Sequence, residues 1–104
     1  MKYLVDSNII IYHLNQNSIA TKFLSDNYQS IAISQITFIE VLSFDFSEEQ
    51  EKMVKELLCS FDIINVNFDI ANQAVKNRKV RKIKIPDNII VATAMVNDLI
   101  LVTR

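Results

Sequence analysis

Four short apolar runs, separated by longer stretches with helical spacing, leave this chain few architectures to choose from. Tyr3-Leu4-Val5, Ile31-Ala32-Ile33, Phe61 to Val66 and Leu99 to Val102 are read as strands. They are apolar or β-branched with little alternation, the pattern of parallel strands covered by helices on both faces. Asp6-Ser7-Asn8 starts a short helix that carries Ile9, Ile10, Tyr12 and Leu14. Further helices are predicted over Ser18 to Asn27, with Phe23 and Leu24 inward, and from Gln35 to about Phe44 after a cap at Ser34. Ser47 and Gln50 fit a capping box that opens the next one, and Met53, Val54, Leu57 and Leu58 keep its helical spacing. Phe68 to about Val80, with Ile70, Ala71, Ala74 and Val75 inward, and Pro86-Asp87 through Val96 complete the set. Right-handed crossovers between such strands predict an α/β fold of three layers, a parallel sheet of about four strands flanked by helices. Ligands in open sheets of this kind bind at the carboxyl ends of the strands.

At 104 residues the chain holds one domain, and with half its residues apolar it can bury a core. It contains no glycine, which excludes every glycine-based phosphate cradle, the P-loop and the dinucleotide fingerprint included. Any grip on phosphate must come from a metal, from basic side chains or from helix N-termini. Cys59 is the only cysteine, so no internal disulfide forms; within Leu57-Leu58-Cys59 it is expected to pack as a small hydrophobe, a usage that suits a reducing cytoplasm. The longest apolar run is four residues and the N-terminus lacks the apolar stretch of a signal peptide, so no membrane association is expected.

The net charge of −1 hides an uneven distribution. Asp45, Glu48, Glu49, Glu51 and Glu56 face only Lys52 and Lys55 between positions 45 and 56, whereas Lys76, Arg78, Lys79, Arg81, Lys82 and Lys84 occur with no acid among them. Such separation creates local fields that a net count does not show.

Three carboxylates stand out by position. Asp6 follows the first strand, Asp87 starts the helix before the last, and Glu40 lies among Phe38, Ile39, Val41 and Leu42 on the helix after the second strand. A charge in such apolar company costs stability unless it is paired, metal-bound or turned to solvent. Each acid also has a plain structural role open to it: Asp6 and Asp87 as helix caps, Glu40 as the polar side of its helix, with Lys2 a possible ion-pair partner. If the three converge, their repulsion calls for a cation, and an all-oxygen donor set suits Mg²⁺ or Mn²⁺. Zinc is disfavoured, because His13 and Cys59 are the only residues of their kinds; His13 is expected at the surface or in the core.

The segment Tyr3 to Tyr12, with Asp6-Ser7-Asn8 at its centre, resembles the opening of PIN domains, especially the VapC-type toxins of toxin–antitoxin pairs. Ile33 to Leu42 resembles their second motif, in which Glu40 takes the place of the second acid, and Ile85 to Ala94 resembles the third, with Asp87 in the acid position. Leu99 to Arg104 resembles the fourth strand and its Thr-Arg ending. The resemblance implies a three-layer PIN-like fold, Mg²⁺- or Mn²⁺-dependent RNA cleavage, a homodimer and a cognate antitoxin that inhibits it. In the family the Thr-Arg ending continues with an asparagine, a fourth acid and a final strand. The chain stops at Arg104, so the expectation is one PIN-like domain over residues 1–104 without that acid and strand, through truncation, a degenerate gene product or a substitute residue elsewhere, and with its last strand an open edge.

On this reading Asp6, Glu40 and Asp87 are the catalytic and metal-holding residues, and Ser7, Asn8 and Thr103 orient ligands or waters behind them. Lys76, Arg78, Lys79, Arg81, Lys82 and Lys84 hold RNA phosphates; a solvated helix end is the alternative for them. Phe68, Tyr3 and Tyr28 are expected in the core rather than stacked on bases. The rival reading is a catalytically inactive PIN-like module that binds an antitoxin or associates with itself. Phosphotransfer or phosphatase sites fit less well: Asn8 stands where a dehalogenase-type site wants a second aspartate, and no aspartate follows the third strand before Asp69, as a receiver domain would require.

Overall fold

The computed structural model describes residues 1–103; Arg104, the end of the fourth motif, lies outside them. Among these residues six helices surround a four-stranded parallel sheet. The order is β1 (Tyr3–Val5), α1 (Ser7–Leu14), α2 (Ser18–Asp26), β2 (Ile31–Ser34), α3 (Gln35–Leu42), α4 (Glu48–Cys59), β3 (Asp62–Ile64), α5 (Phe68–Val80), α6 (Ile85–Val96) and β4 (Ile100–Val102). Side-chain oxygens start most helices by accepting a backbone N–H that has no partner within the helix. Asp6, Asn17, Ser34 and Asn67 do so for α1, α2, α3 and α5, and a complete Ser47–Gln50 capping box opens α4.

The strands lie in the order β3-β2-β1-β4. The chain steps outward from β1 to β2 to β3, then returns to place β4 on the free side of β1, with Val5 paired to Val102. The winding direction thus reverses between β1 and β4, and at such a switch point the loops part and leave a crevice at the carboxyl edge. Successive strand residues serve opposite layers. Val5, Ile31 and Ile33 pack with Ile10, Leu24, Val41 and Leu58 on one face, while Leu4 and Ala32 pack with Ile90 and Ala94 of α6 on the other.

Several expectations fail at single positions, for a common reason. One step along a helix turns a side chain by about 100°, so an apolar run reaches past the buried stripe. Val75 follows half-buried Ala74 and is 55% exposed; Cys59 follows fully buried Leu58, ends α4 and is exposed instead of packing as a core residue. Phe68, at the first position of α5, is 81% exposed, and Tyr28 is also exposed, so neither is a core residue; Tyr3 is half-buried, edge-on to Phe23. The helix after β2 ends at Leu42, which leaves Phe44 outside it, and the third strand spans Asp62–Ile64 alone. Pro86 sits at the second position of α6, where its missing N–H costs nothing. Lys2 pairs with no acid; its ammonium lies 5.2 Å from the centre of the Tyr3 ring.

Leu4 is fully buried in the smaller of the two cores, whose other buried members are Ala32, Ile90 and Ala94. Two of those are alanines that cannot fill a void, so Leu4→Ala should lower unfolding free energy by about 3–5 kcal/mol in chemical denaturation.

Candidate functional site

The carboxyl end of β1 fixes the first acid. Asp6 leaves the strand in extended conformation and caps α1, its Oδ1 accepting the Ile9 N–H at 3.2 Å. The Asp6 N–H donates to the Val102 carbonyl at 3.1 Å, which continues the β1–β4 ladder by one residue and sets Thr103 beside it. The Thr103 hydroxyl donates to Asp6 Oδ2. Both oxygens of Asp6 are thereby oriented, one by its own helix and one by the last strand.

Ser7 starts α1 and is buried, and its hydroxyl donates to Glu40 Oε1 at 2.6 Å. That length is typical of a hydroxyl bonded to an ionised carboxylate. Its Oγ also lies 3.3 Å from the hydroxyl oxygen of Thr37, one turn before Glu40 on α3. Glu40 is half-buried and points from its helix toward the α1 N-terminus, which resolves the cost of a charge among apolar neighbours. Adjacent residues of one turn, Asp6 and Ser7, thus tie β4 and α3 to the same spot.

Asp87 is exposed in the first turn of α6 and makes no hydrogen bond or ion pair among the described residues. Its helix packs Ile90 and Ala94 on the sheet and ends just before β4, so its first turn projects toward the carboxyl edge. Asn8 is exposed and has no side-chain hydrogen bond. Among the described residues no group of three or more His, Cys, Asp or Glu side chains is placed to hold a metal ion. The three-carboxylate cluster expected from the sequence is therefore not closed. Like charges repel at short range, and each acid has a separate outlet: N–H and hydroxyl donors for Asp6, Ser7 for Glu40, solvent for Asp87.

All six bases from Lys76 to Lys84 are exposed. Among the described residues the one ion pair is Lys22–Asp26 on α2, at 2.9 Å, so none of the six is neutralised by an acid. Arg78 and Lys79 line a groove of about 490 Å³ together with Ile85, Asn88 and Ile89, which brings them beside the turn that carries Asp87. His13 lies in the last turn of α1, its Nδ1 2.7 Å from the Thr21 hydroxyl.

Two residues escaped the sequence reading. Thr37 is fully buried behind Ser7, and Asn88 is buried between α5 and α6. Asn88 Nδ2 donates to the Ala74 carbonyl at 2.8 Å, its Oδ1 accepts from Asn77 Nδ2 at 3.1 Å, and Asn77 Oδ1 accepts from Gln73 Nε2 at 2.9 Å. This amide ladder fixes the first turns of α6 against α5. The signal was present: a polar residue on the apolar stripe of a helix needs a partner. Asn88→Ala leaves the Ala74 carbonyl and the Asn77 amide without that partner. Denaturant titration should show a loss of about 1–3 kcal/mol, against less than about 0.5 kcal/mol for exposed Asn8→Ala.

Comparisons with known proteins bear on the family and the fold. The PIN domain family model matches residues 3–104. A chain of a toxin–antitoxin complex from Klebsiella pneumoniae is 38% identical, with a TM-score of 0.91 over 99% of this chain and 86% of that one. The fold also matches a chain of VapBC2 from Rickettsia felis bound to a DNA fragment from its promoter, at 23% identity and a TM-score of 0.81, covering 99% of this chain and 87% of that one. A chain of FitAcB from Neisseria gonorrhoeae matches at 21% identity and a TM-score of 0.80, covering 98% and 86%. No curated protein matches the chain. No helix among the described residues is long and apolar enough to cross a membrane.

Proposed function

Because the chain belongs to the PIN domain family, we propose that it is a Mg²⁺- or Mn²⁺-dependent endoribonuclease, the VapC-like toxin of a type II toxin–antitoxin pair. The observation that carries this reading is the junction of Asp6 and Glu40 through Ser7 at the switch point of the sheet. Its donors are oxygens only, and a hydrated Mg²⁺ is commonly held by one or two carboxylates with waters in its remaining positions. Asp6 and Glu40 fit that requirement, and Asp87 adds a third charge from the turn of α6. When bound, the ion supplies activation of a water and neutralisation of charge on the scissile phosphate. Thr103 and Ser7 fix the two carboxylates through their hydroxyl protons, so neither has to reorganise as charge builds on the phosphate. Exposed Asn8, the residue after Ser7, is available to a bound phosphate or water.

The unpaired bases Lys76, Arg78, Lys79, Arg81, Lys82 and Lys84 hold the RNA backbone near Asp87 through contacts that are blind to sequence. A cognate antitoxin is the natural partner, since the Klebsiella chain is part of a toxin–antitoxin complex. A homodimer and a cytoplasmic location complete the proposal. A second reading draws on the open carboxylate cluster: an inactive module of the same fold that binds an antitoxin or itself. Thermal melts with Mn²⁺ separate the two, because the inactive module gains no stability from the ion.

Purified protein with Mn²⁺ should cleave structured RNA, and Asp6→Asn or Asp87→Asn should bring cleavage down to background; cleavage that persists in both variants removes the metal-site reading. Replacing Arg78, Lys79 and Arg81 together by glutamine should weaken RNA binding and lower the slope of log K against log salt by about 2. An unchanged slope clears the segment of a phosphate role.

A further inference from the structure

The hydroxyls beside Glu40 support one more assignment, which rests on the metal-site reading above. Ser7 Oγ lies 2.6 Å from Glu40 Oε1 and 3.3 Å from Thr37 Oγ1. A serine hydroxyl has one proton to give and two lone pairs with which to accept. The shorter contact has the length of a hydroxyl bonded to a carboxylate, so the Ser7 proton lies there. The contact between Ser7 and Thr37 is then held by the Thr37 proton, donated to Ser7 Oγ. Thr37 is 0% exposed, so no solvent water can stand in for this donor. Thr37 and Glu40 are three residues apart on α3 and share a helix face, which lets both reach the same serine.

We propose that Thr37 is a positioning residue for the acidic site: its buried hydroxyl, donated to Ser7, turns the single Ser7 proton onto Glu40 and holds that carboxylate at the start of α1. The direction of donation runs Thr37 to Ser7 to Glu40, and each bond polarises the next in a region sheltered from water. Thr37 touches neither the ion nor the phosphate, and its effect passes through Ser7 alone. A partner bonded directly to a metal ligand, as Ser7 is to Glu40, typically changes metal affinity by about 10-fold to 100-fold, and Thr37 acts through that partner.

Free Mn²⁺ counted by electron paramagnetic resonance, against the full chain without RNA, tests the assignment. Thr37→Val, which keeps the shape and removes the proton, should raise the Mn²⁺ Kd by about 10-fold, and Thr37→Ser should restore it to within about 3-fold of the parent. Ser7→Ala should weaken binding at least as much, and adding Thr37→Val to Ser7→Ala should change nothing further. Equal Mn²⁺ affinity in Thr37→Val and the parent overturns the assignment. So does a penalty that persists undiminished on the Ser7→Ala background, since that marks a packing effect. Thr37→Ala, judged against the same Ser7→Ala background, serves where the valine variant does not fold. A parent chain that takes up no Mn²⁺ sinks the metal-site reading itself, and the Thr37 assignment with it; the parent's own titration therefore tells the two failures apart.

Discussion

The pairing of β4 with β1 is the constraint on which the acidic edge depends. β1 is central, and β4 joins it on the side that the outward winding from β1 to β3 leaves free. Without that return, the end of β1 would have no neighbour on that side, and Asp6 would keep only its own helix to orient it. With it, a ladder bond from Asp6 N–H to Val102 brings the Thr103 hydroxyl to the outer oxygen of Asp6. The apolar character of both faces of the sheet makes the arrangement possible, because α1, α2 and α4 cover one face while α6 covers the other.

The same turn governs the electrostatics. Two carboxylates reach one edge, and they are met by three protons, from the Ser7 hydroxyl and the Ile9 N–H of α1 and from the Thr103 hydroxyl just after β4. Ser7 serves Glu40 while Asp6, its neighbour, receives Thr103. Where charge is not balanced by a donor it is left in water, as at Asp87 and along the bases from Lys76 to Lys84. Acid and base thus stand exposed on neighbouring surfaces, α6 and the end of α5, held in fixed relation by the Asn88 ladder.

Much of the fold was legible in local sequence. The alternation of apolar runs with capped helical segments marks all four strands, and the caps at Asp6, Ser34 and Ser47 are short-range chemistry that needs no tertiary knowledge. What local sequence does not carry is contact between distant segments. Ser7 and Glu40 are separated by 33 positions, and Asn88 meets Asn77 across a helix pair, so neither bond leaves a trace in spacing. Thr37 looked like one more polar interruption of an apolar helix. Cys59, Val75 and Phe68 looked like core residues because hydrophobic runs overshoot the stripe that packing uses. The acids themselves were visible as candidates, but whether they close on one another is decided by side-chain partners that only the assembled sheet supplies.

The bond between Asp6 and Thr103 joins residues 97 positions apart. Closing so long a loop carries a large entropic cost that nearby contacts cannot offset early, and parallel pairings of this span belong to the slow part of folding. No contiguous fragment shorter than nearly the whole chain contains both partners. A nascent or partly unfolded molecule therefore displays its separate helices and hairpin-free strands without the oriented edge, and the chemistry of that edge is a property of the completed sheet alone.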